Sequence, residues 1–443
     1  MNIIYGRSGS GKSEYIYNKI KEDIDICEKT YIITPEQFSF TAEQKLLEKM
    51  ENGATTKVEV ISFERMAYRV IKELFGEKKQ NLLKSGKSMI ISELLDENQK
   101  KFNFLGKNPE NTDLILTQIT EFKKHNISVE ILKKQTENVT DNLLKLKLQD
   151  MLLIYENYEE KIGLDYIDEN DILTLLAENL VKSKLFDGAI FYIDEFAGFT
   201  KQEYKVIEAI TKIAKKLFIT VCTDDLTILK KPESDIFYDN KQTIQTLKTI
   251  EDIEQEIYLS VPYRFKSKEL IHMEKNIFSL PYSSYENEVN DIELTMCKNL
   301  YEEAEYIARN IAMLIRSGYR YRDIGIITKN LDSYSSLIKA IFKKYEIPIF
   351  IDEKKDITGN SFIKYVLAVL EIFSKNWSYE AVFNYLKAGI VKIDNLYELE
   401  NYALKWNIRG KKWYEEKWNF GENNAFIAEQ EKIVTPLLEL KKS

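Results

Sequence analysis

Cysteine and histidine are scarce in this sequence. Three cysteines, Cys27, Cys222 and Cys297, are scattered over 443 residues and form no C-x-x-C pair. That spacing argues against a disulfide framework and a cysteine-built metal site, and it fits a reducing compartment. Two histidines, His125 and His272, are too few for a histidine metal cluster, and each reads as an ordinary surface or boundary residue. No apolar run reaches the roughly 18 residues that a membrane span needs. The N-terminus, MNIIYGRSGSGKS, passes from a short apolar stretch straight into glycines with no cleavage-like site, unlike a signal peptide. These absences predict a cytoplasmic protein with no membrane contact. There is also no internal repeat and no low-complexity tail.

What is present suits a large globular chain. Hydrophobic residues make up 44% and charged residues 30%, enough to bury a core and stay in solution. The length allows roughly three domains. The net charge of −8 argues against a protein that coats nucleic acid. It leaves room for a local groove lined by some of the 63 Lys and Arg side chains, because a charged ligand responds to the local field.

Apolar runs alternate with helical patterns. Residues 2–5, 31–34 and 58–61 read as strands, and Ser62 is placed to cap a helix starting FERMAYRVIKEL. From about residue 82 to 179 the chain is rich in Lys, Glu and Leu at helical spacing, which predicts a helical insertion. Strands resume at 189–193 and 217–221. The alternation implies a doubly wound parallel sheet, an α/β fold. A second α/β unit is expected near residue 292, with strands at 292–296, 324–328 and 349–351. From 361 to 443 the pattern is helical again and carries Trp377, Trp406, Trp413 and Trp418, read as helix-packing residues.

Gly6-Arg7-Ser8-Gly9-Ser10-Gly11-Lys12-Ser13 matches the phosphate loop G-x-x-x-x-G-K-[ST], with a strand before it and a helix after. Its glycines let several backbone N–H groups face one anion. Lys12 reaches the terminal phosphates, the Ser13 hydroxyl can hold Mg²⁺, and the helix N-terminus adds its positive end. The pattern is specific and predicts ATP binding at all eight positions. Its acidic partner should be an apolar strand ending in Asp. The run Ala189-Ile190-Phe191-Tyr192-Ile193-Asp194-Glu195 supplies one, with Asp194 on Mg²⁺ and Glu195 activating water. An acidic turn without chemistry is the bland alternative.

The segments TPEQFSFTAE (34–43), ISFERMAYR (61–69), IDEFAGFTKQE (193–203), GYRYRDIGIITK (318–329), YEIPIFID (345–352) and ENYALKWNIRGKKW (400–413) follow one another in an order that resembles the AddB family over nearly the whole chain. That family is similar to superfamily-1 helicases fused to a nuclease with an iron–sulfur cluster. The resemblance implies a RecA-like P-loop domain at 1–80 and 165–285. It implies a helical insertion at 81–164, the start of a second RecA-like domain at 286–360 and a truncated helical domain at 361–443. It implies ATP and Mg²⁺ as cofactors and AddA, the main motor, as partner in a heterodimer. The implied role is resection of double-stranded DNA breaks while the passing single strand is scanned for the hotspot Chi. No nuclease motif and no cluster-like cysteine pattern appears, so the nuclease and the 4Fe–4S cluster are expected to be absent from this chain. Motor motifs V and VI would lie beyond residue 443.

By the same resemblance, the ends of the second and third strands touch single-stranded DNA. Gln37, Ser39, Phe63, Arg65 and Tyr68 are then the contact residues, through hydrogen bonds, stacking and charge. The helical spacing of Phe63, Met66, Ala67 and Val70 supports a core role for Phe63 equally well. Leu259-Ser260-Val261-Pro262-Tyr263-Arg264 resembles motif IV and makes Arg264 an arginine finger, although proline stands where that motif has asparagine. Superfamily-1 motors place G-D-x-x-Q after the fourth strand, whereas this chain has Val221-Cys222-Thr223-Asp224-Asp225 and no glutamine. The loss puts coupling of hydrolysis to movement in doubt. The basic stretches at 316–322 and around Arg409, Lys411 and Lys412 suit phosphate contact or a solvated loop alike. Two other classes stay open, a stand-alone P-loop kinase acting on a small molecule and an interaction scaffold with a vestigial loop.

Overall fold

The computed structural model describes residues 1–23, 29–50, 57–76, 80–105, 111–228, 235–353, 356–420 and 426–442, so Cys27 lies outside the described residues. The chain divides into two compact units, Met1–Glu293 and Leu294–Ser443.

The first unit opens as β1 (Asn2–Gly6), α1 (Lys12–Asp23), β2 (Thr30–Ile33), α2 (Glu36–Lys49), β3 (Val58–Ile61) and α3 (Phe63–Phe75). A helical excursion follows, made of β4 (Gln80–Leu82), α4 (Lys84–Asn98), α5 (Asn111–Lys124), α6 (Val129–Asn138), α7 (Asn142–Asp165) and β5 (Tyr166–Asp168). The chain returns through α8 (Ile172–Asn179), β6 (Ile190–Ile193), α9 (Lys201–Thr211), β7 (Lys216–Cys222), α10 (Tyr238–Ile250), β8 (Gln255–Tyr258) and α11 (Lys268–Asn276). Six strands form one parallel sheet in the order β3-β2-β6-β7-β1-β8.

Alternation along the strands explains why helices cover both faces. Tyr31, Ile33, Phe191, Ile193, Leu217 and Ile219 point into one core. Their neighbours Ile32, Ile190, Tyr192 and Phe218 point into the other. The two-residue period makes each strand apolar on both sides. At α3, the Ser62 hydroxyl accepts from the Arg65 N–H, and the helix stops at Gly76, where φ is 71°. The stripe Phe63, Met66, Ala67, Val70 and Ile71 is buried. Because all strands run parallel, the loops after β1, β6, β7 and β8 gather at one edge, where open α/β sheets bind ligands.

The helical excursion has its own apolar core around Ile91, Ile119, Ile154 and Tyr158. Its two ends meet in the parallel pair β4–β5, a two-stranded sheet separate from the six-stranded one, beside a buried charge cluster. The Lys123 ammonium lies 2.6 Å from Glu159, 3.0 Å from Asp168 and 2.5 Å from Asp171. Lys87 reaches Asp168 at 2.6 Å, and Tyr158 donates to it at 3.1 Å. Gln202 on α9 donates to the Asn170 carbonyl at 2.7 Å, tying the cluster to the sheet domain. Burial works against the Lys123 charge, but Asp171, Asp168 and Glu159 outweigh it and hold its pKa above the ordinary lysine value. Burial pushes the Asp171 carboxyl up to about 6, against the pull of Lys123. A carboxyl raised in the folded state contributes stability that is full below its unfolded pKa, near 4, and is lost as pH rises through its folded value. Asp171→Asn is therefore expected to flatten the fall in melting temperature between about pH 4 and pH 6. A wild-type slope retained in the variant would show that Asp171 does not carry it.

In the second unit, α12 (Leu300–Arg316) packs on α13 (Leu331–Lys344). A larger helical core joins α14 (Ser361–Ser374), α15 (Tyr379–Lys387), α16 (Leu396–Lys405) and α17 (Ile427–Lys442). Trp377, Trp413 and Trp418 are buried in that core, and the Trp413 and Trp418 rings meet edge to face at 5.2 Å. The strands expected at 292–296, 324–328 and 349–351 are not formed. Leu294, Ile327 and Phe350 are 99%, 100% and 89% exposed. A strand exists only when a neighbour completes its hydrogen-bond ladder, and among the described residues these segments have none. No helix among the described residues is long and apolar enough to cross a membrane.

Candidate functional site

The glycine-rich turn leaves β1 at Gly6 and enters α1 at Lys12, so the helix's free N–H groups open onto the loop. Gly9 and Gly11 have φ of 77° and 85°, a region that side-chain-bearing residues rarely adopt. A Cβ on Gly9 would lie 2.7 Å from Arg264 Cβ, so the segment after β8 rests directly on the loop. The Lys12 ammonium donates to the Gly6 and Arg7 carbonyls at 2.8 and 2.9 Å. Burial lowers its pKa, opposed by Cys222, Asp194 and Glu195.

Asp194 follows β6 and is only 5% exposed, with the Thr220 hydroxyl donating to it. Glu195 takes a left-handed backbone, φ 66°, which turns its carboxylate towards the loop. Ser13 Oγ donates to Glu195 Oε1 at 3.3 Å. Arg264 Nη1 donates to Ser8 Oγ at 3.2 Å, and the Arg264 N–H donates to the Gly9 carbonyl at 3.1 Å. Lys12, Ser13, Lys45, Asp194, Glu195 and Arg264 line a single cavity of about 930 Å³. Loop amides, an ammonium and a guanidinium suit a polyphosphate. The Ser13 hydroxyl and Asp194 carboxylate offer the few oxygen ligands that a phosphate-bound Mg²⁺ takes from protein.

The loop after β7, which lacks the motors' glutamine, forms a charged clasp. Asp224 lies 3.6 Å from Arg7 Nη1 and 3.1 Å from Lys241 Nζ. Lys241 is almost fully buried and also meets Asp225 at 3.0 Å and Asp235 at 2.8 Å. Arg7 reaches Glu274 on α11 at 3.1 Å, and its guanidinium sits 5.0 Å from the Phe237 ring centre. This charged clasp binds the phosphate loop to α10 and α11 at the place where a motor carries its glutamine. Of the eight loop positions expected to bind ATP, Ser8 to Ser13 line the cavity, whereas Gly6 and Arg7 do not, the Arg7 side chain being held in the clasp.

The residues expected to touch DNA separate into two groups. Gln37 is exposed in the first turn of α2, Arg65 is half exposed on α3, and Tyr68 is exposed. Ser39 and Phe63 do not reach the surface, at 3% and 4% exposure. The Ser39 hydroxyl lies 3.5 Å from that of Thr34, and the Phe63 ring packs 5.4 Å from Phe196. Burial removes Ser39 from the expected contacts and favours the core alternative for Phe63, because each lies on the inward face of its helix. Phe38 and Phe40, not among the expected contacts, are exposed on α2 instead. Arg65 has Glu36 at 4.0 Å and Glu43 at 3.9 Å. Beside it, burial and the nearby Glu36, Glu169 and Glu203 push the Glu64 carboxyl up. Such an acid-lined surface suits stacking on bases more than tracking of phosphates. In the second unit, Arg320 is paired with Asp323 at 2.7 Å and exposed.

Residues 3–274 match a family model described as ADDB, N-terminal. The chain is 42% identical over 465 residues to the B subunit of the ATP-dependent helicase/deoxyribonuclease of Clostridium tetani (strain Massachusetts / E88), covering 100% of this chain and 40% of that protein. It is 41% identical over 436 residues to the protein of the same name from Clostridium botulinum (strain Loch Maree / Type A3), covering 94% and 38%. The Clostridium perfringens (strain 13 / Type A) protein of that name is 36% identical over 478 residues, covering 100% and 41%. The chain thus spans about two fifths of the length of the curated relatives it matches.

Proposed function

We propose, from the premise that this chain belongs to the AddB N-terminal family, that it is the nucleotide-holding and single-strand-contacting part of a helicase–nuclease subunit. That subunit would work with a partner, AddA, in resecting double-stranded DNA breaks. The observation that carries this reading is the single cavity in which the phosphate loop, Asp194, Glu195 and Arg264 converge.

The residues divide the work by chemistry. The loop amides and Lys12 bind the phosphates, and Arg264 adds charge at the terminal one. Mg²⁺, held by Ser13 and Asp194, would neutralise phosphate charge. Glu195 orients a water for attack. The clasp around Lys241 supports a subunit that holds nucleotide with little coupling to strand movement, because Asp224 engages Arg7 and Lys241 where superfamily-1 motors carry their glutamine. Against a vestigial scaffold stands the intact loop, and against a small-molecule kinase stand the exposed Gln37, Phe38 and Phe40 on α2, just after β2. Scanning of the passing strand for Chi rests on that same surface.

Fluorescence anisotropy of labelled single-stranded DNA at low salt tests the strand contact, with and without ATP and Mg²⁺. Gln37→Ala combined with Arg65→Ala is expected to weaken binding about tenfold, or ~1.4 kcal/mol. Equal binding by both proteins would remove the site from these helices. No binding by either would place the strand contact outside this chain.

A further inference from the structure

We infer that Lys45 is a third phosphate-directed cation of this cavity, selective for a nucleoside triphosphate over a diphosphate. The inference rests on the nucleotide-binding reading above and assigns a residue that the phosphate loop and its acidic partner do not include.

Lys45 lies on α2, distant in sequence from the loop and from β6. Its ammonium lines the same cavity and stands 3.9 Å from Glu195 Oε1. That oxygen also accepts from Ser13, so Ser13, Glu195 and Lys45 meet at one end of the cavity. Lys12 belongs to α1 and Arg264 to the segment after β8, so Lys45 brings a cation to the cavity from a third element, α2.

The Lys45 ammonium is not committed to a structural task. Its side chain is 46% exposed, and 3.9 Å is beyond hydrogen-bonding length. A half-solvated pair of this kind holds its partners weakly. A terminal phosphate carries more charge than one carboxylate and offers several acceptor oxygens, so it competes well for the ammonium. A diphosphate lacks the group that would draw Lys45 inward. Lys45 also offsets Glu195, which otherwise faces the incoming phosphate as a like charge.

The helix that bears Lys45 begins at Glu36 and carries Gln37 in its first turn, eight residues earlier. A helix moves as a rod, and that interval is roughly 12 Å. Engagement of Lys45 by the terminal phosphate therefore acts on the element that presents Gln37, Phe38 and Phe40. Nucleotide state would reach the strand-contacting surface along α2.

The test is equilibrium titration of the chain with fluorescent ATP and ADP analogues in Mg²⁺, comparing wild type, Lys45→Met and Lys45→Arg. Lys45→Met is expected to weaken the ATP analogue about tenfold, as loss of one charge-assisted hydrogen bond does, and the ADP analogue less than about twofold. Lys45→Arg should restore most of the difference. Thermal melts should be unchanged, since the residue is half exposed. Equal loss for both analogues, or no loss for either, overturns the assignment while leaving the nucleotide site standing. Wild type that binds neither analogue overturns both.

Discussion

Lys123→Ala is expected to cost the first unit about 3–5 kcal/mol, the usual penalty for breaking a buried ion pair from one side. Lys123 is 2% exposed at its side chain and meets three carboxylates, one of which, Asp168, is fully buried. Removing the ammonium leaves Asp168 with Lys87 and leaves Asp171 and Glu159 facing each other without their shared cation. At roughly 2–4 °C per kcal/mol for a unit this large, the melting temperature should fall by on the order of 10 °C. Lys212→Ala is the control. Its pair with Glu208 is exposed and one helical turn apart, so its loss should cost less than about 0.5 kcal/mol. Equal, small shifts for both variants would mean that the cluster is solvated and that the helical excursion is held by its apolar core alone. Because Gln202 ties this cluster to α9, just after Glu195, loosening of the excursion should also be felt near the cavity.

Lys12→Ala should abolish nucleotide binding, with a loss of at least about 100-fold, or ~2.7 kcal/mol. Its ammonium rests on the Gly6 and Arg7 carbonyls, within reach of the space that the β- and γ-phosphates would fill. Charge-assisted hydrogen bonds in a partly desolvated site are the strongest polar contacts a protein makes. The fold should persist, because the loop is shaped by its glycines and by the backbone contact with Arg264. A variant that folds and still binds an ATP analogue at wild-type strength would refute the role of Lys12.

The phosphate loop was legible because its chemistry is local, a short run of backbone amides with one lysine and one serine. The sheet of the first unit was legible for a related reason, since apolar runs flanked by turns leave few other fates for residues such as Ile190 and Phe191. The expected strands of the second unit were not, because an apolar run looks the same whether or not a neighbour completes its ladder, and Ile327 has none among the described residues. Ser39 and Phe63 show how a resemblance locates a helix without saying which of its faces looks outward. The spacing of Phe63, Met66, Ala67 and Val70 did carry that signal. Lys45, Arg7 and Lys241 had no such trace. Lys45 meets Glu195 across 150 residues of sequence, and such a meeting is visible only once the chain is folded.

Every role given to the cavity residues depends on this chain holding a nucleotide. The most direct measurement is titration of the wild-type chain with a fluorescent ATP analogue in Mg²⁺, followed by displacement with unlabelled ATP. The arrangement of Lys12, Ser13, Asp194 and Arg264 predicts saturable binding at one site per chain and full displacement. A flat titration, or a signal that unlabelled ATP does not displace, would contradict it.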